Sequence, residues 1–166
     1  TPARLGAILR EADAGDPVRY LELLAFMAER DPPYTGVMGT RRRSVAQLPL
    51  GVEAFSDAPV HEAQAEEMRA WIKRGILRRA LFDILDCLHV GYSVTEILWG
   101  QADRRWTPQR LVRRDQRWFR FDRVDLETPV MLSDSGAEVP LPAAKFIFAR
   151  IGAVSGVPLR SGLGRI

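Results

Sequence analysis

The stretch ILRRALFDILDCLHVGYSVTEILWG, residues 76–100, decides how the chain divides. Up to Val90 its apolar residues Leu77, Leu81, Ile84, Leu85 and Leu88 recur at three- and four-residue spacing, the period of one helix face. At Gly91 that period ends, as helices commonly do at glycine. From Tyr92 to Trp99 the pattern switches to a period of two in β-branched and aromatic residues, which marks a strand. The chain before this switch reads mainly as helix and the chain after it mainly as sheet.

Working back toward the N-terminus, the helical region is expected from about Val60 to Val90, with Gly75 able to split it. Glu62, Glu66 and Glu67 stand at its front and Arg74, Arg78 and Arg79 follow, in the sense that complements helix dipoles. Before it, a first helix opens at Thr1-Pro2 and stops at Gly15-Asp16-Pro17, and a second runs from there to Asp31-Pro32-Pro33. A third spans about Tyr34 to Gln47, and Leu50 to Phe55 alternates as a short strand would. Working forward, Trp106 to Val112 reads as a strand returning from a turn at Gly100 to Arg105. Arg117 to Asp122 is aromatic-rich. Val130-Met131-Leu132 and Glu138 to Leu141 flank Ser133-Asp134-Ser135-Gly136 as a hairpin, and Lys145 to Arg150 is a last strand. The expectation is one α+β domain over residues 1–166: residues 1–91 mainly helical with a strand near 50–55, residues 92–151 an antiparallel β-meander, and residues 152–166 a connecting tail. The start without Met and the close at Gly162-Leu163-Gly164-Arg165-Ile166 read as a piece of a longer polypeptide.

Composition narrows the chemistry. The 166 residues carry 24 Lys+Arg against 21 Asp+Glu, a net charge of +3, with one cysteine, Cys87, and two histidines, His61 and His89. An internal disulfide is excluded, and a zinc site, which takes about four N/S ligands, has almost nothing to draw on. No apolar run of the roughly 18 residues that span a bilayer occurs, so no membrane partner is expected. No glycine-rich phosphate cradle sits between a strand and a helix, and no cofactor is expected. Cys87 and His89 lie two apart on a helix and point in different directions, so they do not form a nucleophile–base pair. Asp83 and Asp86, one turn apart, and Asp122 and Asp125, flanking Arg123, are paired carboxylates that acid–base chemistry could use. Ion pairing with arginine is the more economical account. No catalytic residue is assigned.

Lys73 and Lys145 are the two lysines, so 24 minus 2 leaves 22 arginines. A GC-rich coding sequence alone would raise arginine over lysine. Where the excess has a physical use, the planar guanidinium suits bidentate pairing with carboxylates and phosphates. Between Gln101 and Asp125 stand Arg104, Arg105, Arg110, Arg113, Arg114, Arg117, Arg120 and Arg123 against Asp103, Asp115, Asp122 and Asp125, interleaved with Trp106, Trp118, Phe119 and Phe121. That pattern serves a stacking nucleic-acid surface or a polar edge facing an identical neighbour, and its aromatics also serve a core. Arg41, Arg42 and Arg43 form a contiguous basic run on the third helix. Arg41, Arg42, Arg43, Arg113, Arg114, Arg117 and Arg120 are therefore the candidate contacts to a neighbouring subunit or to a DNA backbone.

Several stretches in register resemble the portal proteins of Mu-like phages and prophages. They are Glu29-Arg30-Asp31-Pro32 with Arg41 and Leu48-Pro49, then Leu81-Phe82-Asp83, Gly91-Tyr92-Ser93, and Glu96-Ile97-Leu98-Trp99. Arg114 to Asp122, Lys145-Phe146-Ile147, Gly156-Val157-Pro158 and Gly162-Leu163 continue the series, while Leu126 to Leu141 has no counterpart. The resemblance implies a non-enzymatic subunit of a homo-oligomeric ring, usually of twelve copies, at one capsid vertex. Double-stranded DNA passes through such a ring during packaging and ejection. It further implies docking by the packaging terminase and by head and tail proteins, residence in the virion after assembly in the bacterial cytoplasm, and a place for this chain in the wing-like outer region. Two other functions stay open on the residues alone: a free-standing nucleic-acid-binding or head–tail adaptor domain, and a hydrolase built on Asp83 and Asp86.

Overall fold

The computed structural model describes residues 1–102, 104–152 and 156–165. Asp103, named among the acidic residues between Gln101 and Asp125, and Ile166 lie outside the described residues, as do residues 153–155. Six helices come first: α1 Pro2–Asp13, α2 Val18–Arg30, α3 Pro32–Ala46, α4 Pro59–Lys73, α5 Ile76–Ile84 and the single turn α6 Cys87–Val90. Six strands follow: β1 Tyr92–Ala102, β2 Arg105–Arg114, β3 Phe119–Phe121, β4 Pro129–Leu132, β5 Glu138–Pro140 and β6 Phe146–Arg150. The α+β class and the switch at Gly91 are as expected. Gly91 takes φ 105°, a left-handed backbone open to glycine at little cost, and a Cβ there would lie 2.1 Å from the Pro158 carbonyl oxygen.

Local chemistry explains the helix boundaries. Asp31 caps α3 through its carboxylate, which accepts from the Tyr34 amide at 3.0 Å, and Pro32 supplies a preset φ at the first helical position. Proline likewise opens α1 and α4. Gly75 separates α4 from α5 as the sequence suggests.

The strands form two three-stranded antiparallel sheets, ordered β2-β1-β6 and β3-β4-β5. The second sheet is a true meander, inserted between the β1–β2 hairpin and the return of β6 to the far edge of β1. β1 pairs with β2 from Val94↔Arg114 to Ala102↔Arg105, so the ladder runs into the segment expected as a turn over 100–105. Gln109 is the extra residue of a bulge between Leu98 and Trp99, and its side chain lies against Gly100, where a Cβ would come within 2.5 Å of it.

β1 is covered on both faces. Ser93 Oγ donates to the Ile84 carbonyl on the helix side, while Tyr92 and Val94 face the opposite way into the core. There Tyr92 stacks on Phe148 with centroids 5.4 Å apart, and Phe121 meets both rings edge-on. Ile8, Ala12, Tyr20, Leu21 and Leu24 from α1 and α2 close this core, together with Leu159. The Tyr92 hydroxyl, fully buried, donates to the Gln116 carbonyl at 3.1 Å, and burial pushes its pKa well up.

Two expectations need correction. Leu50 to Phe55 forms no strand. The segment is held instead by side chains, since Val52 offers its carbonyl to Arg69 Nε at 3.0 Å, and no neighbouring edge pairs with it. The tail beyond residue 156 is more than a connection. Its turns Pro158–Arg160 and Leu163–Arg165 pack against α1 and α6, and Leu159 and Ser161 are buried. Gly162 lies so close to the 89–91 backbone that a Cβ would stand 2.3 Å from the Val90 carbonyl carbon. Arg165 anchors the segment to Asp13 at 2.8 Å.

Candidate functional site

Arg42 lies on α3, and its guanidinium reaches across to the end of α5. There it donates through Nε to the Phe82 carbonyl at 2.9 Å, and through Nη1 to Asp86 Oδ1 at 3.1 Å, while lying 3.9 Å over the Phe82 ring. The Asp86 carboxylate, with the residue 5% exposed, also accepts from Arg113 of β2 at 3.1 Å and from Gln116 Nε2 at 3.3 Å. Gln116 turns its amide toward the Tyr92 carbonyl as well, at 2.9 Å. One buried acid thus ties α3, the α5–α6 junction, β2 and the turn ahead of β3. A buried carboxylate is tolerable only when paired and hydrogen-bonded, and Asp86 has three side-chain donors, Arg42, Arg113 and Gln116, while Asp83, 4.0 Å from Arg42, stands apart as a half-exposed acid.

His89 packs edge-on against Tyr34 within the same region, and burial holds its imidazole pKa below the ordinary range, with the nearby Asp86 acting in the opposite direction. Cys87 is buried and free, and burial raises its thiol pKa. This is the setting of a packed thiol rather than an activated one.

The other candidate arginines are also engaged within the chain. Arg114 pairs with Glu96 across the β1–β2 ladder, and Lys145 approaches the same carboxylate at 3.4 Å. Burial alone would raise the Glu96 pKa, but the two cations outweigh it and leave the group below its usual range. Arg117 chelates Asp115 at 2.7 Å and lies 3.9 Å from Glu22. Arg120 is 8% exposed and donates to the Arg117 and Phe119 carbonyls at 2.9 and 3.0 Å, so it is turned inward and offers nothing to an outside phosphate. Arg42 is likewise withdrawn. Arg41 and Arg43 stay exposed, their guanidinium groups without a hydrogen bond or ion pair among the described residues.

Sequence reasoning missed a second use of arginine here. Arg78 donates to the carbonyls of Ala46 and Leu48, and Arg42 to that of Phe82, so guanidinium groups satisfy carbonyls left open at the ends of α3 and α5. The long spacing between partners hides this from the sequence.

The carboxylate pairs fall to structural roles. Asp83 and Asp86 are both turned to Arg42, and neither belongs to the lining of the clefts described below. Asp122 Oδ1 accepts from the Val124 amide at 2.8 Å, and Asp125 accepts from the Glu127 and Thr128 amides at 2.8 and 2.9 Å, which shapes the loop into β4. No cluster of His, Cys, Asp or Glu able to hold a metal occurs among the described residues.

A cleft of about 400 Å³ opens at the seam of the two sheets. Phe119, Met131 and Phe146 form its floor, Arg114, Lys145 and Glu96 one rim, and Trp118 the other. A second groove, of about 810 Å³, runs between α1 and α2 past Leu5 and Phe26.

The fold and these contacts define an α+β module braced by arginine–carboxylate pairs, with surface clefts at the sheet seam and between α1 and α2. Comparison with known proteins places it. The family model described as "Portal protein of Mu bacteriophage" matches residues 21–166, and the chain belongs to that family. It is 30% identical to the portal protein of Escherichia phage Mu over 126 residues, which is 72% of this chain and 24% of that protein. It is also 30% identical to the Mu-like prophage FluMu protein gp29 of Haemophilus influenzae over 104 residues, 61% of this chain and 20% of that protein. The chain therefore spans about a quarter of the curated relatives' length.

Proposed function

We propose that the protein containing this chain is a structural subunit of a phage or prophage portal ring, and that this chain belongs to its wing-like outer region. The observation that carries the reading is the family match over residues 21–166, which takes in α2 through the packed tail. The ring is built of identical copies, twelve on the family pattern, at the capsid vertex of the virion. Double-stranded DNA passes through it, the packaging terminase and head and tail proteins dock on it, and assembly takes place in the bacterial cytoplasm. The chain performs no enzymatic step. A platform whose helices and sheets are cross-braced through Asp86 suits a part that must hold its shape while repeated contacts close a ring. No described helix is long and apolar enough to cross a membrane.

The test is negative-stain electron microscopy of the full-length protein at moderate salt and several concentrations. Rings with a central hole are expected, and dispersed particles at every concentration would overturn the reading. The exposed Arg41 and Arg43 keep a second reading in play, a nucleic-acid-binding or head–tail adaptor domain. Binding to a DNA backbone weakens steeply with salt, so a chain that fails to retard duplex DNA even at low salt disposes of the DNA-binding form of it.

A further inference from the structure

Phe55 is 90% exposed, among the most exposed large apolar side chains of the chain. It stands in the loop Glu53-Ala54-Phe55-Ser56-Asp57 between α3 and α4, and both flanking acids are exposed with no ion pair among the described residues. The loop is not loose. The Val52 carbonyl is held by Arg69, Ser56 Oγ lies 2.7 Å from His61 Nδ1, and the Phe55 ring rests edge-on against the His61 ring at 5.3 Å. A braced loop that carries one aromatic ring between two carboxylates is a knob.

The cleft at the sheet seam has the matching features. Its floor of Phe119, Met131 and Phe146 is apolar. Arg113, Arg114 and Lys145 line it against Glu96 and Asp115, and Arg114 and Lys145, each about half exposed, share the largely buried Glu96 carboxylate, so the lining keeps one positive charge in excess. Trp118, 60% exposed, stands at the other side as a flat wall. At about 400 Å³ the cleft is near the small end of ligand-pocket sizes and takes a side chain with its flanks rather than a large molecule. Aromatic residues set in a pocket and rimmed by opposite charges are the features that concentrate binding energy in protein interfaces.

Knob and cleft are different patches. Phe55 stands just ahead of α4, the helix whose far end meets β2 through the Trp71–Pro108 hydrogen bond. The cleft opens by contrast beside Glu96, which lies on the same face of β1 as the core residues Tyr92 and Val94 and opposite the face that meets α5 through Ser93. A contact between unlike patches of identical chains is heterologous and runs head to tail, the kind that closes a ring when the rotation allows. We propose that the Phe55 loop of one copy seats in the Trp118–Phe146 cleft of the next, with Glu53 and Asp57 meeting Arg114 and Lys145. This names the mating surfaces of the ring and rests on the portal reading above.

The experiment uses the full-length protein and two variants, Phe55→Asp and Met131→Arg, with oligomer size read by analytical ultracentrifugation and electron microscopy. Phe55→Asp is expected to raise the concentration needed for rings by roughly tenfold or more, the loss that follows when an interface anchor is removed. Its thermal midpoint stays that of the parent, because the side chain touches little within its own chain. Each variant retains one intact half of the contact, so mixing the two yields paired species that neither forms alone. A parent protein that forms no rings overturns the portal reading and the contact with it. Rings in the parent and equally in Phe55→Asp overturn the contact alone. Rings lost in Met131→Arg but kept in Phe55→Asp also overturn it, since the cleft would then receive something other than this loop.

Discussion

Replacing Asp86 by Ala removes the one carboxylate that Arg42, Arg113 and Gln116 share. Breaking a buried ion pair by deleting one partner costs about 3–5 kcal/mol, because the surviving charge is left without compensation. Two features place this case near the lower end. Arg42, whose side chain is 15% exposed, keeps its bonds to the Phe82 carbonyl and its place over the Phe82 ring. Arg113 is nearly half exposed and recovers water. The expected loss is therefore about 3 kcal/mol, which for a chain of this size lowers the thermal midpoint by roughly 6–12 °C. Urea unfolding followed by far-UV circular dichroism reads it directly, with Asp83→Ala as control. Asp83 sits 4.0 Å from Arg42 and is half exposed, so its removal should cost under about 1 kcal/mol. An Asp86→Ala loss below about 1 kcal/mol, or one equal to that of Asp83→Ala, would refute the view that this acid braces the fold.

Gly162→Ala is expected to destabilise by roughly 3 kcal/mol or more, since its Cβ would stand 2.3 Å from backbone that has no room to retreat, and thermal unfolding checks this. Gly36→Ala should do the reverse and stabilise by about 0.5–1 kcal/mol, because it lies in α3 with nothing within 4 Å of the new methyl group. His89 is held neutral by burial, so the folded state binds its proton less readily than the unfolded one, and stability should fall as pH drops below the ordinary value of 6.5. His89→Phe should flatten that limb, and an unchanged slope would show that other groups set it. Glu96 has a lowered pKa, so its contribution is present above about pH 4.5 and lost as pH falls through its folded value; Glu96→Gln should remove that portion of the acid transition.

The division of the chain into helices and sheet was readable because each signal is local. The change of period at Gly91, the Asp31-Pro32 start of α3 and the split at Gly75 each depend on a few neighbouring residues. The failures involve partners distant in sequence. Leu50 to Phe55 has the alternation of a strand, but a strand needs an edge to pair with, and this segment meets Arg69 instead. The tail shows no periodicity because it is held by single close approaches, Gly162 on the 89–91 backbone and Arg165 on Asp13, some 150 residues away in sequence. The return of β6 to β1 across an inserted meander is a matter of register that no local pattern encodes.

The arginine segments were legible as a surplus of charge but not as a set of contacts. Arg42 and Arg43 are neighbours in sequence, yet one reaches a buried acid 44 positions away and the other faces solvent. Which of them is free is set by the helix face that α3 turns toward α5. The candidate list therefore divides along the fold, with Arg42 and Arg120 inside, Arg113, Arg114 and Arg117 in ion pairs at half exposure, and Arg41 and Arg43 outside.

The most direct test of the portal assignment is a cryo-electron microscopy map of the particles formed by the full-length protein. The account predicts a closed ring in which residues 21–166 occupy the outer wall, away from the channel, with Phe55 seated against Trp118 of the adjacent copy. A map without a ring, or one in which this chain lines the channel, would contradict it.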